Sequence, residues 1–489
     1  MKKIISVFFA VLMIASAAFV SGCEPKLPSG TEDAGSETDT VSAEDTRTPD
    51  HLPEVNYGGK VFRVITTASG SERDIFTEDH PTSDPLHDAV LLRNQNVCER
   101  FGITLDVTVD EYTNVPKRVS TAVKSGADEY DLCNVHMVKG ASLAQNNDVL
   151  PFEKLPYVDF TMPWWDKDIA NGFSIRNNLM MANGDISPTS FSYTSCLFFN
   201  KRMFDSLDLP YPYQLVRDGK WTLDKLIELT KDISRDMDGD GKIKRESDAD
   251  VFGITSYFLS VPYDFYYGAG GMLVSKDQDD VPFFDPQVER DTAIYQKIYD
   301  ALITNNANFE TEEAYELNVI KIFTDGRAMF YNANLGSAEF LREMDDEFGI
   351  LPEPMFDENQ KEYKSFVNGA SSMICVPATV KAENLEYVSI IIEALASEAY
   401  EIITPVLTET YLKRKLTRDY ESVDMIDYIV RHRVFAMAYV NLWEGAGSYV
   451  RDLLRQKSTN VASKLKSVTT QSKRKIENIV KAFDKSLNS

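Results

Sequence analysis

Between Lys60 and Val109 two short apolar runs flank a single helical stretch, an order that needs a sheet with a crossover helix and so confines the chain to α/β architectures. Val61-Phe62-Arg63-Val64-Ile65-Thr66 reads as a first strand and Leu105-Asp106-Val107-Thr108-Val109 as a second. Between them Asp84 offers an N-cap and Pro85 suits the first helical position. Leu86, Val90, Val97 and Phe101 recur at helical spacing, and Gly102 is placed to end the helix. Further apolar runs at 130–135, 197–199, 328–331 and 373–376 alternate with helical stretches at 222–235 and 382–397, which favours α/β over a sandwich. The 489 residues leave room for about three compact units, or two large lobes with additions.

Charge and motifs remove several classes of function. With 51 Lys+Arg against 76 Asp+Glu the formal charge is −25, which repels a phosphate backbone, so no nucleic-acid partner is expected. Five histidines leave few candidates for imidazole catalysis or multi-histidine metal sites. GxSxG and HExxH are absent, and Gly239-Asp240-Gly241-Lys242 lacks the remainder of a phosphate loop. A spatial pair of carboxylates for glycoside hydrolysis is not readable from sequence.

The N-terminus gives an address. Met1-Lys2-Lys3 precedes an apolar run from Ile4 to Val20 that is too short to span a bilayer, and Ser21-Gly22-Cys23 follows. This layout resembles a bacterial lipobox. Residues 1–22 are then a lipoprotein signal peptide, and Cys23 carries the acyl chains that hold the protein on a membrane. A plain secretory signal with an incidental cysteine is the alternative. Residues 23–56 are rich in Ser, Thr, Glu, Asp, Pro and Gly and read as a flexible tether. Cys98, Cys133, Cys196 and Cys375 each sit in apolar context without a CxxC, so mostly free, core-type thiols are expected. At the far end, residues 451–489 carry ten Lys+Arg and three Asp+Glu around an apolar stripe, an amphipathic helix expected to dock on the fold rather than on a membrane or partner.

The sharpest motif is Asp236-Met237-Asp238-Gly239-Asp240-Gly241-Lys242-Ile243. Asp236, Asp238 and Asp240 stand at positions one, three and five of an EF-hand-type calcium loop, with Gly241 at the turn and the Lys242 carbonyl at seven. Position twelve is Ser247 instead of a bidentate Glu, so Asp250 or Asp248 has to close the site. Because 221–235 reads as one helix with no matching second one, a structural Ca²⁺ is expected, not a sensor switch. Aromatic residues gather at Trp164-Trp165, at Phe191 and Tyr193, and at Tyr257, Tyr263, Phe265, Tyr266 and Tyr267, a composition suited to stacking on sugar rings and equally to a core.

Taken in order, several segments resemble the extracellular solute-binding lipoproteins of ABC importers, in particular the carbohydrate-binding group related to maltose-binding protein. They are Tyr57-Gly58-Gly59-Lys60-Val61-Phe62, Asp88-Ala89-Val90, Pro163-Trp164-Trp165, Gly184-Asp185, Phe198-Phe199-Asn200-Lys201, Gly219-Lys220-Trp221-Thr222, the Asp-rich loop, Gly326-Arg327-Ala328-Met329-Phe330, Phe348-Gly349-Ile350-Leu351-Pro352 and Thr417-Arg418-Asp419. The resemblance implies a two-lobe periplasmic-binding-protein type II fold with three hinge crossings, near 193–200, 325–331 and 371–377. Lobe one would be 59–195 with 328–373, and lobe two 196–327 with 374–489. It implies ligand contacts from Trp164, Trp165 and Asp185 in the first lobe, Tyr193 at the hinge, Tyr263 and Tyr267 in the second lobe, and Asn334, where relatives place an aromatic residue. It implies no catalytic residue. The function implied is a receptor on the outer face of the cytoplasmic membrane that captures a sugar or oligosaccharide between closing lobes and delivers it to ABC permease subunits. A surface glycoside hydrolase and a non-transport adhesin or sensor are the alternatives.

Overall fold

The computed structural model describes residues 47–68, 71–75, 84–244, 246–310, 316–342, 344–409, 420–441 and 443–487. The segment read as a signal peptide, Cys23 and most of the expected tether lie outside them. From Thr48 onward the expected tether is already bound. The Thr48 amide donates to Glu401 at 2.9 Å, Asp50 pairs with Arg100, and Leu52 joins the core.

The opening βαβ unit forms as its signals predict. Strand β1, Lys60–Thr67, runs parallel to β2, Ile103–Asp110. The intervening helix Pro85–Phe101 starts where Asp84 accepts the Leu86 amide at 3.0 Å and stops at Gly102, whose φ of 59° is left-handed. The later strands are β3 Leu132–His136, β4 Val149–Leu150, β5 Ser195–Asn200, β6 Phe252–Tyr257, β7 Val274–Lys276, β8 Pro282–Phe284, β9 Asn308–Glu310, β10 Ala328–Asn334, β11 Phe348–Leu351, β12 Ser365–Phe366, β13 Ser372–Pro377 and β14 Arg433–Val434. They build two five-stranded sheets, β2-β1-β3-β13-β4 and β11-β5-β10-β6-β9, and two small ladders, β12-β14 and β7-β8.

The sheet order redistributes the expected lobes. The segment 328–373 was assigned to lobe one, yet β10 pairs with β5 and β6 in the second sheet. The segment 374–489 was assigned to lobe two, yet β13 pairs with β3 and β4 in the first sheet. Residues 325–331 therefore link the helix Glu316–Thr324 to β10 on one side of the molecule and are not a crossing. The chain leaves the first sheet before β5 and returns between β11 and β13. The helix Leu385–Thr408 packs on the Pro85–Phe101 helix of the first lobe, whereas the helix Tyr420–Arg431 packs on β11. A strand buried on both faces is apolar throughout, so its sequence does not say which sheet it joins.

Two helices also depart from expectation. The 222–235 stretch is helical only over Leu223–Thr230, and Arg235 already bridges Val251. The basic C-terminal segment breaks into Tyr449–Arg455 and Val461–Leu487, and Leu465, Val468, Ile476, Ile479 and Phe483 are buried against the fold, as docking requires. Among the described residues no helix is long and apolar enough to cross a membrane.

Candidate functional site

In open α/β sheets ligands bind outside the carboxyl ends of the strands, and buried acids stand there in each sheet, Asp74 in the first and Asp264 with Glu353 in the second. In the first sheet, β1 and β3 run parallel and end together, and the antiparallel β13 begins beside them with Ser372 opposite His136. Asp74 enters this edge from the 71–74 turn. It accepts the Thr189 amide at 2.9 Å, the Thr189 hydroxyl at 3.0 Å, Asn134 Nδ2 at 3.2 Å and the Ser372 hydroxyl. Burial pushes its carboxyl up to about 6 against these donors. The fully buried Arg93 donates to the Asp74 carbonyl at 2.8 Å and clamps Asn94 Oδ1.

In the second sheet β6 and β10 end together. Ser256 donates to Asn332 Oδ1 at 2.9 Å, and Asn332 Nδ2 donates to Glu353 Oε1 at 2.8 Å. Glu353 and the neighbouring Asp264 are both fully buried. Burial, and then the charge of Asp264, hold Glu353 well above the carboxylate range; burial likewise raises Asp264. Both Asp264 oxygens, Glu353 Oε2, the Tyr263 hydroxyl and Asn334 Oδ1 meet no hydrogen-bond partner among the described residues. Buried polar atoms are rarely left so.

The passage between the sheets is narrow. Tyr439 packs edge-on against Tyr263 at 4.6 Å and against Phe366 at 4.9 Å. The Tyr193 carbonyl accepts the Asn368 amide at 3.0 Å. At Gly369 a Cβ would lie 2.4 Å from Val138 and 2.7 Å from Tyr439, so only glycine passes between the first lobe and that ring. On β14, Arg433 donates to Asp166 and, at 3.2 Å, to the Ser190 hydroxyl, tying the β12-β14 ladder to first-lobe residues.

The expected ligand residues separate accordingly. Tyr263 and Asn334 are placed at the second-sheet edge, and Tyr193 at the first passage. Asp185 is partly buried beside Arg433 and Thr404, and burial pushes it up to about 7 while Arg433 pulls it back. Trp164 and Trp165 are instead in the first-lobe core, their indole N–H groups donating to Glu393 at 2.9 and 3.0 Å. Tyr267 is stacked on Phe366 at 4.9 Å and 2 % exposed. Asp74, Asp264 and Glu353 were missed. Their signal is only an acidic residue in apolar context, which 76 acidic residues dilute.

The Asp-rich loop folds as a tight turn. Asp236 accepts the Gly239 and Gly241 amides at 2.7 and 2.6 Å, with φ of 77° and 85° at the two glycines. Oxygens of Asp236, Asp238 and Asp250 lie within 4.8 Å of one another, a set that fits a hard cation. Asp250, not Asp248, joins the group; it is fully buried and held below its ordinary range by the Lys244 and Met237 amides at 2.8 and 2.9 Å. Asp240 faces outward to Lys244 and accepts the Lys242 amide at 3.0 Å.

Comparison with curated protein sequences returns no match. Solved structures do match. An ABC transporter solute-binding protein from Agrobacterium radiobacter K84 in complex with ribitol superposes with a TM-score of 0.53 at 13 % identity, covering 86 % of this chain and 99 % of that one. One from Thermotoga lettingae TMO bound with α-D-tagatose gives 0.53 at 13 %, covering 86 % and 100 %. The GacH receptor of Streptomyces glaucescens GLA.O, described unliganded and with acarbose, gives 0.51 at 13 %, covering 88 % and 99 %. These likenesses establish the two-lobe type II architecture. A family model described as bacterial extracellular solute-binding protein matches residues 96–401, and the chain belongs to that family.

Proposed function

We propose that this protein is a lipid-anchored receptor, held on the outer face of the cytoplasmic membrane through Cys23, that captures a sugar or oligosaccharide between its lobes without altering it and hands it to an ABC permease. The observation that carries the choice of ligand is the set of buried oxygens without hydrogen-bond partners among the described residues at the second-sheet edge: Asp264, Glu353 Oε2 and Asn334 Oδ1. A polyhydroxylated neutral solute supplies hydroxyls that accept from the two raised, protonated carboxyls and donate to the remaining oxygens. The structural neighbours crystallised with ribitol, tagatose or acarbose agree with this chemistry.

In the same reading Asp236, Asp238 and Asp250 hold a structural Ca²⁺. All three offer the oxygen donors such an ion needs.

The test is a thermal-shift screen of polyols, monosaccharides and oligosaccharides on the exported protein, with the solution checked for products. A carbohydrate that raises the melting temperature and is recovered intact supports the receptor. Stabilisation confined to anionic solutes, or conversion of a glycan to products, favours another solute class or the hydrolase.

A further inference from the structure

Cys133 of β3 and Cys375 of β13 are direct cross-strand partners in the middle of the first sheet. Both are fully buried, and the Cys375 thiol raises that of Cys133 beyond the effect of burial. The Met137 amide bonds the Ser371 carbonyl at 2.8 Å, which fixes the alternation of the ladder and makes Cys133–Cys375 a hydrogen-bonded pair. Such pairs have Cα atoms about 5.5 Å apart. Disulfides span Cα separations of about 4.4–6.8 Å and draw the Cβ atoms to about 3.5–4.5 Å, closer than the about 5 Å of an unlinked cross-strand pair, so the two strands must close slightly to form one. The other two described cysteines lack this arrangement, since Cys98 is on the Pro85–Phe101 helix and Cys196 on β5 of the other sheet. All four are thiols in the structure.

The family is extracellular, and disulfides form and persist in such compartments. We propose that Cys133 and Cys375 are a modification site, joined in the exported protein by a disulfide that staples the returning strand β13 to β3. Every strand of the second sheet lies in the chain between the two cysteines, so the bond would tie together the two ends of that excursion.

The oxidant is an envelope thiol–disulfide oxidoreductase in its disulfide form. The thiolate of one cysteine attacks a sulfur of that disulfide, forming a mixed disulfide and releasing one oxidoreductase thiol. The second thiolate displaces the other. The two cysteines give up two protons and two electrons, and the oxidant's disulfide becomes two thiols. In the closed sheet, burial and the neighbouring Cys375 hold the Cys133 thiol well above its ordinary value, so attack precedes closure, while the thiols are still solvated. Once formed, the bond is shielded by the same burial.

The experiment takes the full-length protein from the envelope of exporting cells, denatures it with a thiol-alkylating reagent and no reductant, and maps the peptides by mass spectrometry. The expected result is alkylated Cys98 and Cys196, with the Cys133 and Cys375 peptides recovered as one cross-linked species that separates and alkylates only after reduction. Cys133 and Cys375 alkylated before reduction to the same extent as Cys98 and Cys196 would overturn the proposal. A second readout is the melting temperature, expected to fall once the denatured protein is reduced and refolded. The double variant Cys133→Val/Cys375→Val should show no such response; an equal fall in that variant would also count against the bond.

Discussion

Ser372, the first residue of β13, donates its hydroxyl to Asp74, 298 residues earlier in the chain. With Thr189 and Asn134 it completes a ring of donors that joins the 71–74 turn, β3, the 189–192 helix and β13 at one sheet edge. The acceptor is nonetheless held at about 6, because removing a carboxylate from water outweighs four donors to it.

Stability should therefore fall as pH rises from about 4 to 7. Asp74 is raised to about 6, and Asp185 and Glu393 to about 7. A carboxyl raised on folding stabilises the native state below its unfolded value, and that contribution is lost as pH climbs through the folded value. For Asp74 the loss is roughly 3 kcal/mol, from about two units at 1.36 kcal/mol each. His136, lowered to about 4 by burial and then Lys139, acts in the opposite sense: its stabilisation holds above about 6.5 and is lost as pH falls through 4. Calorimetry at constant ionic strength should give a melting temperature that falls between about pH 4 and 7, the three carboxyls outweighing His136, and a flat or rising trend over that window would contradict this.

Glu393→Ala should destabilise the protein by about 3 kcal/mol, because both indole N–H groups of Trp164 and Trp165 lose their acceptor in a dry core. Carbohydrate affinity should not change. Chemical denaturation and calorimetric titration on the same variant separate the two effects; a large loss of affinity with normal stability would return the tryptophans to the ligand.

Chelation should lower the melting temperature of the wild-type protein, and Asp250→Ala should abolish that response. At a free Ca²⁺ concentration 100 times the dissociation constant the ion contributes about 2.7 kcal/mol. Identical melting curves with calcium and with chelator would remove the ion from the Asp236 loop.

Glu353→Gln should leave folding nearly intact, since the buried group is held above the carboxylate range and the amide oxygen still accepts from Asn332. Affinity for the stabilising carbohydrate should drop about tenfold, the equivalent of one lost hydrogen bond of about 1.4 kcal/mol. Asp264→Asn should act similarly. Unchanged affinity in both would move the ligand away from this edge.

Part of the molecule is local chemistry and could be read directly. Asp84, Pro85 and Gly102 bound the first helix, and Gly239 and Gly241 shape the Asp236 turn, because caps and left-handed backbone depend on residues only a few positions apart. The strands themselves were legible as apolar runs. Tertiary structure alone assigned β10 to the second sheet and β13 to the first, chose Asp250 over Asp248, placed Trp164 and Trp165 on Glu393, and gathered Asp74 with Ser372 and Asp264 with Glu353. Those pairings join residues far apart in the chain, and packing decides them: a buried strand looks alike in either sheet, and a lone acid shows its desolvation only once its neighbours have excluded water.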